Sequence, residues 1–506
     1  KLKGKNMNTS RKGILNIFTA FFSQILIIIT GIVIPKLILS YYGSETNGLI
    51  NSVVQILNYF SLFEAGVGIA SLQALYKPVS QDNKDGISRI MVATHNFYKK
   101  AGMLYVIAVV ALAFVYPVFV ETSISYFVIF LIIIFSGLGN SINFIYQGKY
   151  KILMQAEGYS YVINVITTII QIAICAVRIV LISAGFDIIT VQFSYFLICI
   201  LQMLIYHWYI YKNYGWLNFK LEPDNKAISQ KSATLIHQVS SLIFNSTDVL
   251  LLTLLTRDLK VVSVYTVYNM IVSMISTLIN QINSGFDFKL GQMYNTETKK
   301  YILYFDIIDM LNMILAFTAI SITYIFIVPF IRLYTAGITD TNYINSSYSL
   351  LFIMAPLLSA IRIPVNNMVS YAGHFKKTQW RSVIEATINI TVSVLMIPKF
   401  GIYGALMGTI AALLYRTNDL ILYAYKYLIK EKPFRTYKRI ISGLVVFILI
   451  ILFVDNNVYY TSYFTMLYYC FIYNIPLLII YTIVECIVSR KELCRFIEYY
   501  KKIKNK

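Results

Sequence analysis

Residues 101–120, AGMLYVIAVVALAFVYPVFV, and residues 124–146, ISYFVIFLIIIFSGLGNSINFIY, are two continuous apolar runs separated only by Glu121-Thr122-Ser123. A helix rises about 1.5 Å per residue, so each run is long enough to cross about 30 Å of hydrocarbon. A spanning β-strand would be about ten residues long and would alternate polar with apolar positions, which neither run does. The stretch reads as a helical hairpin in a membrane.

The pattern extends in both directions along the chain. Of 506 residues, 58% are hydrophobic and 13% charged, and the mean hydropathy is +0.66, which excludes a water-soluble class. Spans are expected at roughly 13–39, 47–72, 101–120, 124–146, 160–184, 188–211, 233–255, 261–285, 304–330, 345–370, 380–398, 401–425, 438–454 and 462–487. Nothing between them is long enough for a soluble domain. The fold class is an all-α polytopic membrane protein with about fourteen transmembrane helices. The basic start, Lys1 to Lys12, has no small-residue cleavage site after it and reads as an uncleaved first helix, with Met7 a candidate native start. Cys175, Cys199, Cys470, Cys486 and Cys494 are scattered without paired or metal-ligand spacing, so no disulfide, metal or cofactor is expected.

The net charge of +20 lies in short loops and not in a folded basic module, which argues against nucleic acid. With a cytoplasmic N-terminus, the inside segments hold 35 Lys and Arg, and the outside segments only Lys36, Arg257, Lys260, Arg332 and Lys399. Moving the count by one helix scrambles this partition, so an even number of spans with both termini cytoplasmic is expected.

Short matches suggest a repeat. Glu64-Ala65-Gly66 matches Asn283-Ser284-Gly285, Tyr116-Pro117 matches Val328-Pro329, and Gly158 matches Gly373, at offsets of 219, 212 and 215. The expected organisation is a six-helix lobe over 1–211, a cytoplasmic linker over 212–232, a second lobe over 233–425, and a terminal helix pair with a basic tail over 426–506. Both lobes start inside, which makes the repeat parallel, as in transporters that rock two halves around a cavity.

An ionisable residue at a span centre costs on the order of 2.5–3.5 kcal/mol, so it faces a partner or a cavity. Glu64, Arg362, Glu385, Arg416 and Asp419 fall in the cytoplasmic third, and Asp306 and Asp309 enter the ninth span from the same side, which suggests a hydrated cytoplasmic vestibule. Arg416 and Asp419, three residues apart on one helix, equally form a local pair. Arg362 sits beside Pro364 in a span that also carries Pro356, where a broken helix frees backbone groups, and a guanidinium there is suited to bidentate phosphate binding. Arg178 and Asp248 are the deepest charges; a gate formed by the pair, contact of Arg178 with an anionic head group, and a structural ion pair are open alternatives. His207, His237 and His374 lie near cytoplasmic span ends and His95 in a loop, which gives no proton-relay chain. The 42 tyrosines suit interfacial belts first and sugar stacking second. No P-loop, His-Glu-x-x-His or G-x-S-x-G motif occurs, and an enzyme is not expected.

Ile34-Pro35-Lys36-Leu37, Tyr42-Gly43, Asn47-Gly48 and Phe63-Glu64-Ala65-Gly66-Val67-Gly68 together resemble the opening of bacterial polysaccharide flippases of the multidrug/oligosaccharidyl-lipid/polysaccharide exporter superfamily. Thr247-Asp248, Ser263-Val264-Tyr265, Pro329 to Thr335 and Gly401-Ile402-Tyr403-Gly404-Ala405 extend the resemblance over nearly the whole chain. It implies a cationic central cavity and alternating access for an undecaprenyl-pyrophosphate-linked repeat unit of capsule or lipopolysaccharide O-antigen. It also implies a polysaccharide polymerase and chain-length machinery as partners. Glu64, Arg178, Asp248, Arg362 and Arg416 are the cavity candidates by charge and position, with Glu385 and Asp419 as ion-pair partners. A multidrug exporter of that superfamily normally carries an acidic residue in its first span, and Gly13 to Leu39 has none. A peptidoglycan-precursor flippase shares fourteen spans but begins with an arginine-rich first helix, here only Arg11. A glycosyltransferase or polymerase needs a large outer loop, and none exceeds about fifteen residues.

Overall fold

The computed structural model describes residues 9–64, 67–228 and 246–504. Among these residues the chain is helical, with one isolated bridge between Glu121 and Asp258 and no strand. The elements are α1 (Thr9–Phe60), α2 (Val67–Ser80), α3 (Lys84–Phe119), α4 (Tyr126–Ile142), α5 (Gly148–Ala156), α6 (Ser160–Ser183) and α7 (Ile188–Asn213). They continue with α8 (Ser246–Thr256), α9 (Leu259–Thr296), α10 (Thr298–Tyr334), α11 (Ser346–Ile361), α12 (Ile363–Tyr371), α13 (Phe375–Phe400), α14 (Ile402–Ala424), α15 (Phe434–Phe453), α16 (Tyr463–Val488) and α17 (Arg490–Lys504).

Eleven of the described helices are long and apolar enough to cross a membrane. The first, Phe18–Glu64, covers two expected spans because it turns at Gly43. The φ of 80° and ψ of 177° there belong to a region essentially reserved for glycine. Ser246–Thr256 and Ile402–Ala424 lie on the expected seventh and twelfth spans, so fourteen crossings are consistent with the structure. Phe18, Ile107, Phe127, Val180, Leu395, Phe453 and Phe464 stand exposed on the span surfaces. In water such a surface would drive aggregation, whereas against lipid it costs nothing.

The backbone reveals the repeat register better than the residue matches do. Left-handed turns at Gly43, Gly158 and Gly185 recur at Arg257, Gly373 and Gly401, 214 to 216 residues on. The ends of α3 and α10, Phe119 and Tyr334, keep the same interval. Matching Pro117 to Pro329 is therefore three residues out of register. Ala65 and Gly66 of the remaining match lie outside the described residues.

Two compact units divide at 263/264. In the first, α1 packs on α6 and α4 packs between α3 and α7. Val109 fills the space a side chain at Gly137 would need, 2.3 Å from its Cβ position. Polar ties cross these packed faces: Gln171 donates to the Thr30 hydroxyl at 3.0 Å, and Tyr116 to Ser52 at 2.9 Å. Gly48 brings α1 onto the start of α9, where a Cβ would sit 1.9 Å from the Leu259 carbonyl oxygen. Beside it the Asn47 amide donates to Ser263 at 2.8 Å. In the second unit, α13 and α14 form a tight hairpin, and α10 is flanked by α11, α15 and α16. Phe317 of α10 lies against Gly443 of α15, and Ser321 hydrogen-bonds to Tyr481 of α16 at 2.8 Å. The basic tail beyond the last span is itself helical, as α17.

Candidate functional site

In the second unit the helix expected across 345–370 breaks. Pro364 has no N–H to continue the ladder, so α11 ends at Ile361 and α12 restarts at Ile363, with Arg362 between them. Its guanidinium donates to Glu385 of α13 at 2.6 Å. The other Glu385 oxygen meets Arg416 of α14 at 3.4 Å, and Arg416 reaches Asp419 at 3.2 Å. Asp419 also pairs with Arg381 of α13. The structure thus joins Arg362, Glu385, Arg416 and Asp419, four of the seven expected charges, into one chain. Three arginines share two carboxylates, a surplus of one positive charge.

Burial within the chain is graded. The side chain of Arg416 is 7% exposed and that of Glu385 11%, while Arg362 and Arg381 are 20% and 33% exposed. The carboxylates anchor the centre, and the two outer arginines are the more exposed members, Arg381 lying over the Tyr423 ring at 4.9 Å. The break is supported from behind, where Asn312 donates to the Ala360 carbonyl at 2.9 Å and Thr417 to Leu358 at 3.1 Å. Outside the spans, burial and the neighbouring Lys377 lower the pKa of His374, which keeps charge off that ring.

The first unit has a break at the corresponding place. A π-helical turn, Asn143–Gln147, separates α4 from α5 and ends eleven residues before Gly158, as Arg362 lies eleven before Gly373. Such insertions concentrate at functional sites. On α5, Lys149 is 5% exposed, lies 2.7 Å from His95, and sits over the rings of Tyr146, Tyr150 and Phe219 at 4.9 to 5.6 Å. Glu64 accepts from the Tyr98 hydroxyl and faces Lys151. His95 lies inside α3 and not in a loop, and His237 lies outside the described residues.

Two expectations are corrected. Arg178 and Asp248 form no ion pair among the described residues: Arg178 donates to Gln192 at 3.1 Å and lies 5.0 Å over the Tyr195 ring, while Asp248 lies in α8 near Tyr59. Gln192 and Tyr195 are one helical turn apart on α7, so together they occupy the face Arg178 meets. Asp306 and Asp309 do not line a vestibule. Arg439 of α15 binds Asp309 at 2.7 Å, and Arg435 binds Asp306, which ties the terminal helices to α10. Both acids are buried among these partners.

Sequence reasoning passed over Arg381, Lys149 and Lys151 by counting them as topology charges. Arg381 had a signal, since it lies four residues before Glu385 on one helix face.

No protein-family model matches the chain, and no curated protein matches it in sequence. Solved structures do match. The lipid II flippase MurJ in an inward closed conformation aligns over 95% of this chain and 100% of its own, with a TM-score of 0.67 at 15% identity. An inward-facing multidrug resistance MATE family transporter of the MOP superfamily aligns over 85% and 96%, with a TM-score of 0.63 at 11% identity. The MATE multidrug transporter DinF-BH aligns over 84% and 98%, with a TM-score of 0.61 at 12% identity. The chain has the fold these transporters share.

Proposed function

We propose that the protein flips an undecaprenyl-pyrophosphate-linked oligosaccharide repeat unit across the bacterial cytoplasmic membrane for surface polysaccharide synthesis, as a member of the MOP superfamily. The observation that carries this reading is the arginine-rich chain at the broken helix, in which three arginines share two carboxylates. A lipid-linked pyrophosphate has the charge and the paired oxygens that planar guanidinium groups bind bidentately. The transporter fold supports movement of that head group and not chemistry on it.

In this reading both termini are cytoplasmic, and the six-helix lobes over 1–211 and 233–425 alternate access while the lipid tail stays in the bilayer. Glu64, Arg178 and Asp248 line the route in addition to the arginine chain. The membrane potential contributes roughly 2.3 kcal/mol per charge per 100 mV to outward passage of the anion. A polymerase and chain-length machinery receive the product outside.

A peptidoglycan-precursor flippase is the second reading, favoured by the full-length alignment with a lipid II flippase. The two separate in a gene deletion with leaflet-resolved labelling of undecaprenyl-linked saccharides. The proposal expects a complete repeat unit held on the cytoplasmic face, loss of surface polysaccharide, and viable cells. Lethality with accumulated peptidoglycan precursor would replace it with the second reading, and unchanged lipid-linked sugars with new drug sensitivity would replace it with an exporter.

A further inference from the structure

A cavity of about 340 Å³ opens where the start of α15, the end of α16 and the first turn of α17 meet. Arg435, Lys438, Arg439, Arg490 and Lys491 line it, opposed there by Glu492 alone. Not all this charge is neutralised from behind. Arg435 pairs with Asp306 and Glu431, and Arg439 with Asp309, but Lys438, Arg490 and Lys491 form no ion pair among the described residues. Lys438 is held in place by the Val488 carbonyl at 3.1 Å.

Arg439 supplies an independent sign of a missing ligand. Its residue is 1% exposed, with Nε bound to Ser489 at 2.8 Å and Nη1 to Asp309 at 2.7 Å, yet Nη2 has no hydrogen-bond acceptor among the described residues. An Asp306 carboxylate oxygen lies 3.9 Å from it, beyond hydrogen-bond reach. A buried guanidinium nitrogen without an acceptor costs on the order of 1–3 kcal/mol, a cost an anion in the adjoining cavity would remove. The rim is apolar, with Phe434 70% and Ile487 69% exposed beside the basic mouth.

From this arrangement we infer that the cavity binds the phosphodiester head group of an anionic membrane lipid, with its acyl chains against Phe434 and Ile487. On the orientation proposed above, the lipid comes from the cytoplasmic leaflet. Its head group locks α17 onto α15 and α16, alongside the ring contact of Phe496 with Tyr304 of α10 at 5.1 Å.

The test uses the purified full-length protein in neutral detergent, titrated with dihexanoyl phosphatidylglycerol, dihexanoyl phosphatidylcholine or sodium phosphate, reading the thermal midpoint. The variant Lys438→Gln/Arg490→Gln/Lys491→Gln changes only exposed side chains, and Lys84→Gln/Lys99→Gln/Lys100→Gln removes equal charge elsewhere. We expect a saturable rise with phosphatidylglycerol that the first variant needs at least tenfold more lipid to match, since each basic contact at a membrane surface contributes about a factor of five. The second variant and wild type should respond alike. An equal response to phosphatidylcholine, a first variant with the wild-type midpoint, or equal weakening in both variants would each overturn the site. Sodium phosphate reproducing the rise at the same concentration would overturn the lipid in favour of a soluble anion. No probe carries a saccharide, so failure here leaves the flipping proposal standing.

Discussion

Glu385 of α13 binds Arg362, the residue at which the neighbouring helix breaks, at 2.6 Å. The contact bridges 23 residues of sequence and ties the residue between α11 and α12 to α13. Because the same carboxylate also meets Arg416, losing it takes an acid from two arginines at once, whereas losing Arg362 leaves Glu385 paired with Arg416.

That asymmetry predicts the ranking of two variants. Glu385→Gln should cost about 3 kcal/mol, the range for breaking a buried pair from one side. Arg362→Gln should cost less, because Arg416 still neutralises Glu385 and the Arg362 side chain is itself 20% exposed. Thermal midpoints in detergent measure both, and Glu385→Gln melting with the wild type would refute the shared-anchor role.

How much of this was legible follows from what sequence spacing can encode. Pro364 beside Arg362 marks the break, and Arg416 with Asp419 marks a local pair, because both depend on neighbours along one helix. The partner of Arg362 depends on how α13 is rotated about its axis, which no local pattern states. The positive-inside count treats every loop-proximal cation alike, and so absorbed Arg381 and Lys149, which are partnered, together with Arg435 and Arg439, which hold Asp306 and Asp309. Charge is visible in a sequence and points Arg178 to a carboxylate or an anionic head group, while its neutral acceptor Gln192 is not marked by anything.

The terminal helices give a second prediction. Asp309 and Arg439 are each 1% exposed at the side chain. Asp309→Asn leaves the guanidinium without its close carboxylate in a dry interface and should destabilise by about 3–5 kcal/mol. The loss should be local first, because Arg439 and Thr436 are the α15 groups that hold this acid. Limited proteolysis should cut the 430–434 connection of the variant while wild type stays intact; identical digestion patterns would show that the pair does not hold the terminal helices.

Arg178 and Asp248 are predicted to act independently. Groups without shared partners add within about 0.5 kcal/mol, whereas members of one ion pair couple by more. Arg178 is engaged by Gln192 and Tyr195, and Asp248 lies beside Tyr59. A double-mutant cycle with Arg178→Gln and Asp248→Asn, read by thermal midpoint and by flipping, should close to additivity. A coupling above about 1 kcal/mol would require the two side chains to meet.

The orientation has a native probe. Cys494 on α17 is exposed, Cys199 is buried, and Cys175, Cys470 and Cys486 lie inside apolar spans with partial exposure. A membrane-impermeant maleimide needs water and a thiol together, so only Cys494 should react. On the orientation proposed above, which follows the partition of 35 to 5 basic residues, that helix is cytoplasmic. Intact cells should therefore show no labelling, permeabilised cells full labelling, and Cys494→Ser none in either. Labelling of Cys494 in intact cells would place the last span end outside, which makes the crossings odd in number or reverses the whole chain. A basic stripe facing outward would also leave the leaflet assigned to the lipid-binding cavity on the wrong side.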